Sequence, residues 1–283
     1  MTLIEHPDAA TLAQACGRLL AEAIAGAREA RGAALLSLAG GRTAPPILRA
    51  LVAQHPGGSG VTVLPTDERW VPSGHPDHNL EQLKSALSDL DGVTFRSLTP
   101  VDLTTWPAAP QTDAAVELLL GLRSEVFDAV LLGMGADGHF ASLFPGAGNL
   151  QQGLDPRCTA DVLAIIPDPM PAGGPWPRLS LTLARLLRSR LLLLAITGQD
   201  KRVVLERALA GDTSLPVQAL LRQSQSPGNL SKPSRAGQVR GAPRAGTAVH
   251  VGGQEDSEHG ATKQSARAAG FERFPQVMVH WSP

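Results

Sequence analysis

Apolar positions along the chain switch repeatedly between two spacings. Residues 9–30 carry alanine and leucine at helical spacing, and AALLSLAGG (33–41) follows as an unbroken apolar run ending in glycines. A short continuous run of that kind is the mark of a strand buried on both faces. The alternation continues. Helical patterns cover 43–54, 78–87, 112–126, 199–211 and 216–222, and strand-like segments cover 61–68, 127–135, 162–167, 190–197 and 276–281. The punctuation agrees: Thr43 and Thr112 stand where N-caps are expected, prolines fill the first turn after Thr43, and Gly211 closes the 199–211 pattern. Strands that alternate with helices, and are apolar throughout, predict an α/β fold with a doubly wound, mainly parallel sheet and helices on both faces.

One stretch breaks the pattern. Residues 224–274 hold eight glycines and seven basic residues, but only six large apolar ones (Leu230, Val239, Val249, Val251, Phe271, Phe274), which follow neither period. Such a segment buries too little apolar surface to offset its conformational entropy, so it is predicted to be disordered. The expected organisation is therefore one α/β domain formed by 1–223 and 275–283, with 224–274 inserted before the last strand. Composition narrows the function classes. Lys and Arg number 25 against 26 Asp and Glu, which speaks against a nucleic-acid binder. Two cysteines are no disulfide scaffold and suit a reducing compartment. No apolar run reaches membrane-spanning length, and the N-terminus has acids where a signal peptide has bases. A cytoplasmic protein with no membrane partner is expected.

Open α/β sheets bind ligands beyond the carboxyl ends of their strands, so the informative residues should directly follow the strands. Four clusters do. In AGGRTAP (39–45), Gly40 and Gly41 lie between a strand and a helix start, where backbone N–H groups can approach a phosphate. The segment is neither a Walker loop nor GxGxxG, and a plain tight turn is the alternative. In LPTDERWVPSGHPDHNL (64–80), Thr66, Asp67, Glu68 and Arg69 end a strand and an irregular loop follows; a solvated charged loop is the bland reading. LLGMGADGHFASLFPG (131–146) is the most specific segment: a buried strand runs into Gly133, Gly135 and Gly138 and sets Asp137 two residues from His139. A histidine placed there can act as a general base near neutral pH, with Asp137 orienting it or touching substrate. A fourth, distributed set is Arg178 and Lys201, single basic residues that become a phosphate site only if they converge. His75, His78 and His139 match no common zinc spacing, so no metal site is expected.

Taken together, LAGGRTAP, PTDERWVPSGHPDHN, LLGMGADGHFASLFPG, ITGQDKRVVLERAL and LPVQALL resemble the glucosamine-6-phosphate isomerase/6-phosphogluconolactonase family, on its lactonase side. The likeness covers roughly 1–223 and resumes at PQVMVHWSP (275–283). It implies a Rossmann-like fold and hydrolysis of 6-phosphoglucono-δ-lactone to 6-phosphogluconate, the second step of the oxidative pentose phosphate pathway. It makes His139 the base that activates water, with no metal and no cofactor. It assigns Arg69, Arg178 and Lys201 to the 6-phosphate together with the Gly40–Gly41 loop and Thr43. Asp67 and Asp137 would hold sugar hydroxyls or orient His139, and Asn79 is the asparagine downstream of the TDER segment. A monomer or weak dimer is implied, with the sugar-phosphate lactone as the sole partner.

The chain departs from the family in two places. Arg42 stands where the family loop carries a small hydroxyl residue, and either adds a phosphate contact or points to solvent. Block 224–274 has no family counterpart and is either a lineage-specific insertion or a gene-model error. Two other readings fare worse. Amino-sugar phosphate deaminases of the same fold carry an acid shortly after the DGH triplet, whereas this chain reads FASLFPG. A sugar-phosphate sensor would need a DNA-binding module, and the first 30 residues offer one helix only.

Overall fold

A computed structural model describes residues 1–54, 57–100, 110, 112, 122, 125–223 and 275–283. Most of the expected helix over 112–126, and all of block 224–274, lie outside the described residues. The strands among the described residues are β1 (Thr2–Glu5), β2 (Ala34–Leu38), β3 (Val61–Pro65), β4 (Asp67–Arg69), β5 (Thr94–Phe95), β6 (Phe127–Leu132), β7 (Val162–Ile165), β8 (Arg178–Leu181), β9 (Ser189–Thr197) and β10 (Val277–Ser282). The helices are α1 (Ala9–Arg31), α2 (Ala44–Gln54), α3 (Asn79–Ala86), α4 (Leu150–Leu154), α5 (Leu183–Leu187), α6 (Gln199–Leu209) and α7 (Pro216–Gln223).

Seven strands form one sheet in the order β1-β10-β9-β6-β2-β3-β5, and every neighbouring pair is parallel. The unbroken apolar runs have their cause here, because β2 and β6 are buried at every position. Leu36 and Leu38 of β2 face a core shared with Leu12, Leu20 and Ile24 of α1 and Ile47 and Leu51 of α2. Leu35, one residue out of phase, joins Phe127, Val130 and Leu132 of β6 and Leu205 and Leu220 of α6 and α7 on the other face. α1 starts cleanly because the Asp8 side chain accepts the Thr11 N–H at 2.7 Å, and it stops at Gly32 in the left-handed conformation. Among the described residues no helix is long and apolar enough to cross a membrane.

Two expectations need correction. The strand expected over 61–68 is not one strand. Chain direction changes at Thr66, and Asp67–Arg69 pairs antiparallel with β8 in a separate three-stranded sheet of order β4-β8-β7. Likewise 162–167 does not join the parallel sheet, since β7 pairs antiparallel with β8. The reason is burial from the other side. Val162, Ile165, Leu179 and Leu181 pack into the same core as β6 and Trp70, so these strands read as apolar without belonging to the main sheet. From β2 the chain passes to β3 and β5, whereas from β6 it passes to β9 and β10, so the winding reverses between β2 and β6. That reversal is where an open sheet makes a ligand crevice.

Candidate active site

A cleft of about 160 Å³ opens at that place. Its lining comes from the turn after β2, the end of β6 and the turn beyond it, β4, the start of α3, β8 and the start of α6. Gly40, Gly41, Arg42, Thr43, Asp67, Arg69, Asn79, His139, Arg178 and Lys201 all line it. Asp137 is the one candidate outside the lining, and it meets His139 instead: its Oδ1 lies 2.5 Å from His139 Nδ1 and also accepts the His139 backbone N–H at 3.2 Å.

The local backbone explains that contact. A Cβ on Gly135 would stand 2.2 Å from His139 Cε1 and 2.6 Å from Asp137 Oδ1, so only glycine lets the imidazole fold back onto the carboxylate. The ring also leans on Phe144, with centroids 4.0 Å apart. Burial raises the Asp137 pKa, but the hydrogen bond from His139 and the neighbouring imidazole outweigh it, and the net direction is down. An ionised Asp137 at Nδ1 puts the ring proton there and leaves Nε2 as the free lone pair.

The strand after Thr66 supplies the second group. Asp67 accepts Thr66 Oγ1 on one oxygen at 3.0 Å and Ser142 Oγ on the other at 2.5 Å. The Ser142 backbone N–H in turn donates to Ser180 Oγ, which fastens the turn carrying His139 to the small sheet. Between them Ala141 holds φ of 47°, a costly backbone conformation for a residue with a Cβ, at a position that lines the cleft. Glu68 is fully buried and accepts the backbone N–H groups of Arg69, Asn79 and Leu80 at 2.6–2.9 Å, capping α3. Burial pushes its carboxyl up to about 8 against those three donors, and burial pushes the adjacent His78 down to about 4. The cap fixes Asn79, whose Nδ2 donates to the Asp67 carbonyl at 2.7 Å. The Asn79 amide oxygen sits where a Cβ on Gly40 would be, 2.3 Å away.

Four cations line the cleft against one carboxylate, Asp67. Arg69 and Arg178 are direct cross-strand partners on β4 and β8. Like charges placed so are destabilising on their own. Arg178 is only 4% exposed; burial lowers its pKa, the Asp67 charge opposes this, and the Arg69 charge adds to it. The Nε–H groups of both arginines are buried without a hydrogen-bond partner. At the opposite wall, burial and the charge of Arg42 lower the Lys201 pKa, so Arg42 faces the cleft electrostatically and not solvent alone. Among the described residues no three His, Cys, Asp or Glu side chains converge as a metal-ligand set. His75 accepts the Asp77 N–H, His78 contacts Thr99, and His139 meets Asp137. Ser142, Asp77 and Trp176 were not singled out by sequence pattern, since nothing in spacing marks a residue whose partner is 75 or 99 positions away.

Comparison with known proteins agrees with this architecture. The family described as "Glucosamine-6-phosphate isomerases/6-phosphogluconolactonase" matches residues 7–229. A protein of Rhizobium meliloti (strain 1021) named 6-phosphogluconolactonase is 34% identical over 236 residues, which is 80% of this chain and 95% of that protein. A protein of the same name from Pseudomonas putida is 36% identical over 223 residues, 77% of this chain and 88% of that protein. The crystal structure of a 6-phosphogluconolactonase from Shewanella baltica OS155 superposes with a TM-score of 0.73 at 24% identity, covering 100% of this chain and 98% of that one, and so shares the fold. On the match over 7–229 and these relatives, the chain belongs to the glucosamine-6-phosphate isomerase/6-phosphogluconolactonase family.

Proposed function

We propose that this chain is a carboxylic ester hydrolase that converts 6-phosphoglucono-δ-lactone to 6-phosphogluconate, with His139 as general base. The observation that carries the reading is a single cleft holding an oriented imidazole and a pair of arginines with unpaired donors. His139 Nε2 takes a proton from water as its oxygen attacks the lactone carbonyl. The tetrahedral intermediate collapses with cleavage of the bond to the ring oxygen, and the imidazolium returns its proton to that oxygen as it leaves. Asp137 stabilises the imidazolium between the two steps. A lactone is an activated ester, so a positioned base and stabilisation of the oxyanion suffice, and the step needs neither a metal nor a cofactor.

Arg69 and Arg178 bind the 6-phosphate from the small sheet, and Lys201, Arg42, Thr43 and the Gly40–Gly41 turn bind from the wall formed by α2 and α6. A dianion between the guanidiniums would satisfy both Nε donors and relieve the Arg69–Arg178 repulsion. Asp67 and Asn79 reach the sugar hydroxyls. In the cell this places the chain at the second step of the oxidative pentose phosphate pathway.

The deciding experiment follows hydrolysis of freshly generated 6-phosphogluconolactone with EDTA present. Turnover well above the spontaneous rate that disappears in His139→Asn supports the reading. Turnover no faster than the spontaneous rate, or a dependence on added metal, overturns it.

A further inference from the structure

Two adjacent arginines repel, and both carry long, rotatable side chains. Something besides substrate must hold them in place when the cleft is empty. Asp77, in the loop between β4 and α3, uses both of its acceptors for this. Its backbone carbonyl accepts Arg69 Nη1 at 2.6 Å. Its carboxylate accepts Trp176 Nε1 at 2.8 Å. Trp176 lies in the loop that leads into β8, two residues from Gly174, whose carbonyl accepts Arg178 Nη2 at 2.9 Å and the Trp176 backbone N–H at 2.8 Å. His75 completes the junction, accepting the Asp77 N–H at 3.1 Å and meeting the Trp176 ring edge-on with centroids 5.5 Å apart.

We propose that Asp77 is a positioning residue for the anion site: through Trp176 it clips the loop holding Arg178 to the loop holding Arg69. The inference rests on the reading of those two arginines as the phosphate-binding pair. Each guanidinium is tethered at one terminal nitrogen, and neither Nε–H has a hydrogen-bond partner within the protein. Tethering in this way removes rotamer freedom before substrate arrives, so less is lost on binding. The Asp77 carboxylate also lies close enough to favour the charged form of Arg178. Asp77 does not line the cleft, so it acts on substrate only through the arginines.

The test compares kcat and KM on phosphorylated gluconolactone and on unphosphorylated glucono-δ-lactone for Asp77→Ala, Asp77→Asn, Trp176→Phe and Arg69→Met. Asp77→Ala should raise KM for the phosphorylated substrate about tenfold, the cost of one hydrogen bond to a charged group. Its kcat should stay within about threefold, and KM for the unphosphorylated lactone should not move. Asp77→Asn retains an acceptor for Trp176 Nε1 and should recover most of the loss. Trp176→Phe keeps the ring and the carboxylate but drops the N–H, and should reproduce part of it. The proposal is overturned if Asp77→Ala leaves KM for the phosphorylated lactone unchanged while Arg69→Met raises it. An Asn variant no better than Ala, or equal effects of Asp77→Ala on the two lactones, also overturns it. Equal effects of Arg69→Met on both lactones overturn the phosphate assignment itself, and the clip falls with it.

Discussion

An imidazole becomes a directional base when one nitrogen is committed elsewhere, and in this chain Asp137 commits Nδ1 of His139. The expected cost of losing each partner follows from its role. On the proposed mechanism His139→Asn removes the base and should lower kcat by about 10²- to 10⁴-fold, the usual contribution of general acid–base catalysis. Asp137→Ala leaves the base but frees its tautomer and rotamer, and should cost less. Circular dichroism should show both variants folded, because neither side chain belongs to the buried core. A variant of His139 with near wild-type turnover on fresh lactone would falsify the base assignment. The cations predict a different signature. Arg69→Met and Lys201→Met should raise KM for the phosphorylated lactone by about tenfold or more and leave the unphosphorylated one nearly unaffected, since a phosphate contact present in both ground and transition states is uniform binding. Parallel measurement of both lactones checks this.

At the scale of elements, Glu68 does for α3 what Asp8 does for α1, holding the Asn79 and Leu80 N–H groups of its first turn, and that of Arg69 as well, on one buried carboxyl group. Glu68→Ala should destabilise the fold by about 3 kcal/mol, since it strands buried donors, and Glu68→Gln by less, since an acceptor oxygen remains. Urea midpoints of the two variants decide, and equal loss would mean the cap contributes only packing. The edge of the main sheet carries a pH-dependent contribution. His6 Nε2 and His280 Nδ1 lie 2.9 Å apart in a buried stack between the end of β1 and β10. Burial pushes His280 down to about 4 from 6.5 and lowers His6 as well, against the charge of Asp8. Between pH 6.5 and 4 the unfolded chain takes up a proton at position 280 that the folded chain refuses. The contribution of His280 is therefore intact above pH 6.5 and lost as pH falls towards 4, by about 3 kcal/mol at 1.36 kcal/mol per pKa unit. His280→Asn should flatten the stability–pH curve over that window in denaturant titrations. These elements also show what was legible beforehand. β2, β6 and β9 announced themselves because strands buried on both faces are apolar at nearly every position. β1 did not, because it is a short edge strand with neither end residue buried. The small sheet was hidden because only Thr66, itself fully buried, separates β3 from β4, and β4 is the charged triplet Asp67–Arg69, which carries no apolar strand signature. The glycine-flanked candidates Gly40, Gly41 and His139 were legible from local sequence, whereas Asp77, Trp176 and Ser142 act through partners far along the chain.

At the scale of the whole molecule, the last strand poses the problem. β10 lies inside the main sheet, matched residue for residue with Leu192–Thr197 of β9 and with Thr2–Glu5 of β1. Its sequence neighbour among the described elements is α7, which ends at Gln223, so the chain must return to that slot across 224–274. Every residue that lines the cleft falls between 39 and 201. The composition of 224–274 predicts a segment with no core of its own. If its contribution to folding is limited to the entropy of closing a long connection, shortening it to about six residues should stabilise the protein by about 2 kcal/mol, at roughly 0.6 kcal/mol per halving of loop length. The replacement is a linker of glycine and serine about six residues long, which reaches up to about 20 Å when extended. We expect that variant to unfold cooperatively at a higher denaturant midpoint, with kcat and KM for the phosphorylated lactone unchanged. A lower midpoint, or loss of a single cooperative transition, would show that 224–274 packs against the sheet it interrupts.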